Sequence, residues 1–156
     1  AGLAMPDVFL DPLVLTVTCN QDVAEAAIDA IRIFKQLSDP APTTVVGLSN
    51  ISNGCPAEIR GLINRTYLVM LMAAGLDAAI ADPLDAKQNE FIRIIEQRDA
   101  STPVGKLIIA LYDATEAMED LDANLVDLDD PAQVDIFKTY RMLRNQVIYA
   151  DSYLRI

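Results

Sequence analysis

VVGLSNISNGCPAEIRGLINRTYLVMLMAAGLDAAIADPLD, residues 45–85, decides how the rest of the chain is read. It opens on one apolar strand pattern and closes on another, with a long apolar helix pattern between them. Each strand pattern stops on polar residues: Ser49 and Asn50 after the first, Asp82 and Pro83 after the second. Upstream, VFLDPLVL at residues 8–15 repeats the logic, its first apolar run ending on Asp11 and Pro12. Apolar strand, polar residue at its carboxyl end, then helix is how a (β/α) barrel lines a binding mouth.

Working outward, residues 8–17 read as one buried strand, rich in Val and Leu as parallel strands are. Asn20 or Asp22 caps the next helix, whose stripe Val23, Ala27, Ile31 and Phe34 faces the sheet. SDPAP at residues 38–42 ends that helix. The second strand spans 43–48 and the third 76–81. Gly47 has two readings, close backbone approach near a ligand or fit inside a crowded barrel. Residues 52–61, with Gly54, Pro56 and Gly61, read as a polar loop. The helix at 62–74 is apolar on nearly all sides, so two of its faces must be buried. One is expected against the barrel and the other against a second subunit, with Gly75 as the helix stop. Three more helical stretches follow, near 85–97, 103–120 and 131–149. Ser101-Thr102-Pro103 starts the middle one, since Pro is favoured at a first helical position.

With 156 residues, 52% of them hydrophobic, the chain can build the core of one globular domain. A net charge of −11 opposes binding to nucleic acid and to anionic membranes, whose phosphates need Lys and Arg. The longest uncharged apolar stretch, residues 66–76, is short of the ~20 residues that cross a bilayer. Residues 1–10 lack the basic start of a secretory leader and carry Asp7, so a cytoplasmic location is expected. Cys19 and Cys55 read as free thiols, too few for a zinc or iron–sulfur site. There is no histidine, which removes a Ser-His-Asp triad, His-ligated zinc and any imidazole ligand to a corrinoid from this chain. EDLDANLVDLDD at residues 119–130 starts like a calcium loop, but Leu125 stands where Gly is required and no Glu closes it. It reads as a solvated acidic turn, and no metal is expected.

Three strands do not close a barrel, which takes ~250 residues. The chain therefore reads as the carboxyl part, about strands six to eight, of a longer (β/α)₈ barrel. In such a barrel Asp11, Asn50 and Asp82 share one mouth. A carboxylate accepts two parallel N–H bonds, which suits the guanidine-like edge of a pterin or guanine. An Asn amide donates and accepts, so it can follow a ring nitrogen through a change of protonation. Arg60 or Arg65 suits a carboxylate tail, with a salt bridge at the helix start as the alternative for Arg65. For Asp11 and Asp82 the alternative is capping of a strand end beside Pro.

DPLVLTV, GLSNIS, RGLINRTYLVMLMAAGLDAAIADPLD and NQVIYADSYLRI together resemble the carboxyl half of a methyltetrahydrofolate:corrinoid/iron-sulfur protein methyltransferase. The resemblance covers about residues 1–85 and 134–156, and LINRTYLVM with AGLDAAI is its most distinctive block. It implies a pterin-binding (β/α)₈ TIM barrel, similar to dihydropteroate synthase and to the folate domain of cobalamin-dependent methionine synthase. It implies that Asp11 holds the pyrimidine side of the pterin and that Asn50 hydrogen-bonds near N5. Arg60 matches the Arg of the same loop, and Ser49 and Asp82 complete the substrate-binding set. The reaction implied is transfer of the N5 methyl of methyltetrahydrofolate to cob(I)amide on a partner corrinoid protein, such as a corrinoid iron-sulfur protein. A homodimer is expected. Residues 86–133 depart from the family as a helical insert, expected to decorate the barrel or to pad a dimer, with docking of a corrinoid partner as the alternative. Three other readings stand beside this one. They are a non-catalytic barrel fragment or assembly piece, a dihydropteroate synthase-like transferase, and a methionine synthase folate domain.

Overall fold

A computed structural model describes residues 2–155. Three short strands, β1 (Phe9–Leu10), β2 (Thr43–Gly47) and β3 (Ala78–Ile80), form a parallel sheet in the order β1-β2-β3. Phe9 lies opposite Thr43, and Gly47 lies opposite Ile80. α1 (Val23–Phe34) connects the first two strands and α2 (Ala57–Ala73) the second and third. Helical crossovers of this kind are what adjacent parallel strands require. α3 (Ala86–Gln97), α4 (Pro103–Glu116) and α5 (Pro131–Leu143) follow, so the described chain is α/β with its helices concentrated in the second half.

The first strand is much shorter than the apolar pattern predicts. Only Phe9 and Leu10 pair with β2. Asp11 Oδ1 then accepts the Leu13 amide at 2.8 Å, and Leu13 takes a left-handed φ of 62°. Pro12 has no N–H to give to a ladder. The chain leaves the sheet there and runs beside the turn that follows β2, where Val17 N donates to Ile51 O at 3.0 Å. Val14 and Val17 are still buried, so the apolar pattern reports burial and not pairing.

α2 begins at Ala57, inside the stretch that reads as a loop. Ile59 is already buried, which anchors that first turn. The helix ends as expected: Gly75 adopts φ 100°, and Leu76 N reaches back to Leu71 O at 3.0 Å. A side chain would strain that left-handed position. α4 and α5 stop earlier than their patterns suggest, each just before a left-handed residue, Met118 and Asn145. The start signals hold at α4 and α5 but not at α1, where Asp22 takes the N-cap position without a side-chain capping bond. Thr102 accepts the Gly105 amide at 2.9 Å at the start of α4, and Asp130 accepts Ala132 N at 2.9 Å before α5.

Both long faces of α2 are covered from within the chain. Ile63, Tyr67, Met70 and Leu71 are buried, and α3, α4 and α5 all pack on this helix. Phe91, Ile94, Ile108, Leu111 and Tyr140 join the same core. A second subunit is not what buries α2. Residues 86–133 likewise do not sit outside the fold, because α3 and α4 carry core side chains. A helix apolar all round announces that two faces are buried but not what buries them. Tyr67 OH donates to Ala24 O at 2.9 Å, tying α2 to α1 as well.

Candidate functional site

Parallel order places the carboxyl ends of all three strands on one edge, and the sequence-derived site residues lie along it. β2 passes directly into a 3-10 turn, Leu48–Ser52, in which Leu48 and Ile51 are buried and Ser49 and Asn50 are exposed. The Asn50 amide folds back over Gly47: a Cβ built on Gly47 would stand 3.1 Å from Asn50 Nδ2. Gly47 is therefore the space that this amide occupies. The amide makes no hydrogen bond among the described residues, so its donor and acceptor are both available to a ligand.

Ser49, Arg60 and Asp82 meet in one cleft of about 340 Å³ between the ends of β2 and β3 and the start of α2. Asn64, Asp85 and Gln88 line it too, and sequence reading missed these three. The signal was present for Asn64, which lies one helical turn beyond Arg60 on the same side of α2. The buried Ser52 hydroxyl donates to Asn64 Oδ1 at 2.7 Å and accepts from Arg60 Nε at 3.5 Å. Arg60 forms no ion pair among the described residues, which leaves its outer nitrogens for an anion. Asp82 Oδ1 accepts the Leu84 amide at 2.9 Å, just as Asp11 accepts that of Leu13. Both carboxylates thus cap strand ends, and each keeps a second oxygen outside that bond. Asp11 stands at the end of β1, on the far side of β2 from the cleft.

Arg65 lies elsewhere. It lines a separate cavity of about 430 Å³ among α2, α3, α4 and α5, with Lys87, Glu90 and Phe91. Its guanidinium stacks 5.6 Å over the Phe91 ring and forms no salt bridge among the described residues. Burial pushes its pKa below the usual value, against the opposing pull of Asp85. The two cysteines are unbonded, Cys19 exposed and Cys55 buried. Burial raises the Cys55 thiol, and a hydrogen bond with Tyr149 only partly offsets this. A raised, buried thiol is a poor nucleophile.

The C-terminal segment closes over the loop after β1. Gln21 Nε2 donates to Met142 O and Val147 O, both at 2.6 Å, and Gln21 Oε1 accepts from Tyr149 N at 2.6 Å. This clamp holds NQVIYADSY beside the site edge without contributing a group to the cleft. In the acidic stretch, Asp122 Oδ1 accepts from Asn124 N at 2.9 Å and Nδ2 at 2.8 Å, closing a 3-10 turn. No helix among the described residues is long and apolar enough to cross a membrane.

The chain matches no family model. It is similar to methionine synthase of Mycobacterium leprae (strain TN), 36% identical over 83 residues. That stretch covers 51% of this chain and 7% of the length of the curated relative.

Proposed function

We propose that this chain forms part of a methyltransferase acting on a folate, with Asn50 assisting departure of the N5 methyl group. The observation that carries the reading is the Asn50 amide, without a hydrogen-bond partner among the described residues and seated over Gly47 at the strand-end edge. The similarity to methionine synthase supports methyl transfer as the reaction class. Pterin N5 is a poor leaving group unless it gains a proton or a strong hydrogen bond as the methyl departs. A preorganised uncharged donor supplies that bond where charge develops, and such donors are worth a few kcal/mol. Asp11 offers a carboxylate to the pyrimidine side. Arg60, oriented by Ser52, offers its outer nitrogens to an anionic part of the substrate, and Ser49 and Asp82 complete the cleft. The methyl acceptor in this reading is a corrinoid held outside residues 1–156, which include no histidine to ligate one, and we take its carrier to be a partner protein. Asp, Asn, Ser and Arg are a donor set suited to a pterin and unsuited to cobalt.

The same reading takes the sheet as strands six to eight of a (β/α)₈ barrel. Its support is the strand order, the helical crossovers and a sheet face that carries Phe9 at 62% and Ile80 at 72% exposure. Parallel sheets are ordinarily covered on both faces. That exposed face equally favours the second reading, a barrel fragment that acts only within an assembly.

The test is single-turnover methyl transfer from methyltetrahydrofolate in the intact enzyme containing this chain. Asn50→Ala should slow the step by about 10²-fold or more, as loss of a preorganised donor does. Unchanged rates would overturn the assignment. Titration with methyltetrahydrofolate in parallel separates loss of binding from loss of chemistry.

A further inference from the structure

Two exposed surfaces of this chain are complementary and do not meet within it. The first is the connection between α4 and α5. Met118, Leu125 and Leu128 are exposed there, Leu128 at 79%. Glu119, Asp122, Asp127 and Asp129 stand beside them, exposed and without an ion pair among the described residues. The second is a groove of about 220 Å³ between α5 and the C-terminal segment, lined by Lys138, Arg141, Val147, Ile148 and Tyr153. No carboxylate among the described residues lines this groove, in a chain whose net charge is −11. Among the described residues Lys138 Nζ donates only to Leu154 O, at 2.9 Å, and the exposed Arg141 stacks 5.9 Å over Phe137. Ile148 is 86% exposed at the rim.

The fold keeps the two apart. Lys138 and Arg141 are three residues apart and share one side of α5. Tyr140 projects from another side, ~200° around the helix from Lys138. There Tyr140 OH accepts Leu121 N at 3.0 Å and donates to Asp120 Oδ1 at 3.1 Å, and Arg144 reaches Asp120 at 3.5 Å. The acidic connection is thereby tethered away from the groove of its own chain.

We propose that a second copy of this chain seats its acidic connection in the groove. Leu128 packs on Val147 and Ile148, and Asp127 and Asp129 pair with Lys138 and Arg141. The contact is reciprocal, each copy offering one connection and one groove, as a two-fold dimer requires. Small, charged contacts make the dimer weak and sensitive to salt, because exposed pairs are screened. This inference is independent of the methyl-transfer reading.

Sedimentation equilibrium of the chain tests it. A dimer is expected in about 0.1 M salt and dissociation in about 1 M salt. Arg141→Glu, Asp129→Lys and Ile148→Asp each change an exposed side chain, and circular dichroism checks that the fold is intact. Each alone should weaken self-association at least ~10-fold, about 1.4 kcal/mol. An equimolar mixture of Arg141→Glu and Asp129→Lys should regain the parent affinity as a heterodimer. That dimer contains one reversed pair and one native pair. A chain that stays monomeric in low salt overturns the proposal. So does a dimer that these variants leave unchanged, which would assign association to another surface such as the open sheet face. A mixture no tighter than its components overturns it as well.

Discussion

The sheet and the helical layer behind it are built on opposite terms. Around most of α2 beyond its first turns, side chains from α1, α3, α4 and α5 close in, and Tyr67, Met70, Ile108 and Leu111 have no exposure at all. Across β1–β3 only one face is closed: Thr44 and Val46 are buried, whereas Phe9 and Ile80 are exposed. Strands of two, five and three residues carry few ladder bonds. Stability therefore resides in the helices, and the site edge rides on a sheet that contributes little of it. Such a division leaves the strand-end residues free to answer to a ligand, because packing does not dictate them.

The contrast breaks most sharply in the core. Leu111→Ala should cost about 2–5 kcal/mol in urea unfolding, the range for a buried Leu, whereas Ile80→Ala should change stability by under ~0.5 kcal/mol. Equal losses at the two positions would mean that the sheet face is buried in solution. The next largest effect is at the α3–α4 corner. A Cβ on Gly105 would stand 2.5 Å from the Asp99 carbonyl oxygen, and backbone cannot swing aside. Gly105→Ala should cost about 1–3 kcal/mol, as overpacking does.

At the site edge the order of effects reverses. A Cβ on Gly47 would meet only the movable Asn50 amide, so Gly47→Ala should alter stability by under ~0.5 kcal/mol. In the methyl-transfer reading it should nonetheless weaken methyltetrahydrofolate binding measured by calorimetry, because the amide is displaced. Unchanged affinity would detach Asn50 from the ligand.

The smallest effect is electrostatic and lies at the opposite end of the strands. Burial acts to raise the Asp77 carboxyl, but hydrogen bonds from Lys35 Nζ, Thr44 N and Thr44 Oγ1 outweigh it and hold it below the usual range. A depressed carboxyl contributes stability that is present above its unfolded value, ~3.9, and is lost as pH falls through the folded value. Asp77→Asn should lower stability slightly at neutral pH and flatten the acid limb of a stability–pH profile, the two profiles converging below about pH 4. A parent profile already flat there would show that the Lys35–Asp77 clamp contributes nothing.

Much of this molecule was legible in its residues. α1 falls where the Val23–Phe34 stripe runs, and the starts of α4 and α5 follow from Pro at a first helical position beside a capping side chain. These are local effects, decided by hydrogen bonds that span three or four residues. Ser49, Asn50 and Asp82 were recognisable because polar residues closed apolar strand patterns. The patterns did not reveal the length of β1, since apolar residues at 14 and 17 are buried by packing beside the next turn and not by pairing. Nor did they reveal that α2 starts before Gly61. There, Arg65 Nη1 lies 3.3 Å from where a Gly61 Cβ would be, a contact made across a helical turn.

The sequence by itself determined which segments are helical, where most of them start, and which polar residues stand at strand ends. Periodicity, capping and turn chemistry act over a few neighbouring residues and need no partner. Only the tertiary structure decided that α3, α4 and α5 cover α2, that Asn64, Asp85 and Gln88 join Arg60 in one cleft, and that Arg65 does not. Those outcomes depend on which surfaces meet across long separations in the chain, and an apolar stripe records the need for a partner without naming it.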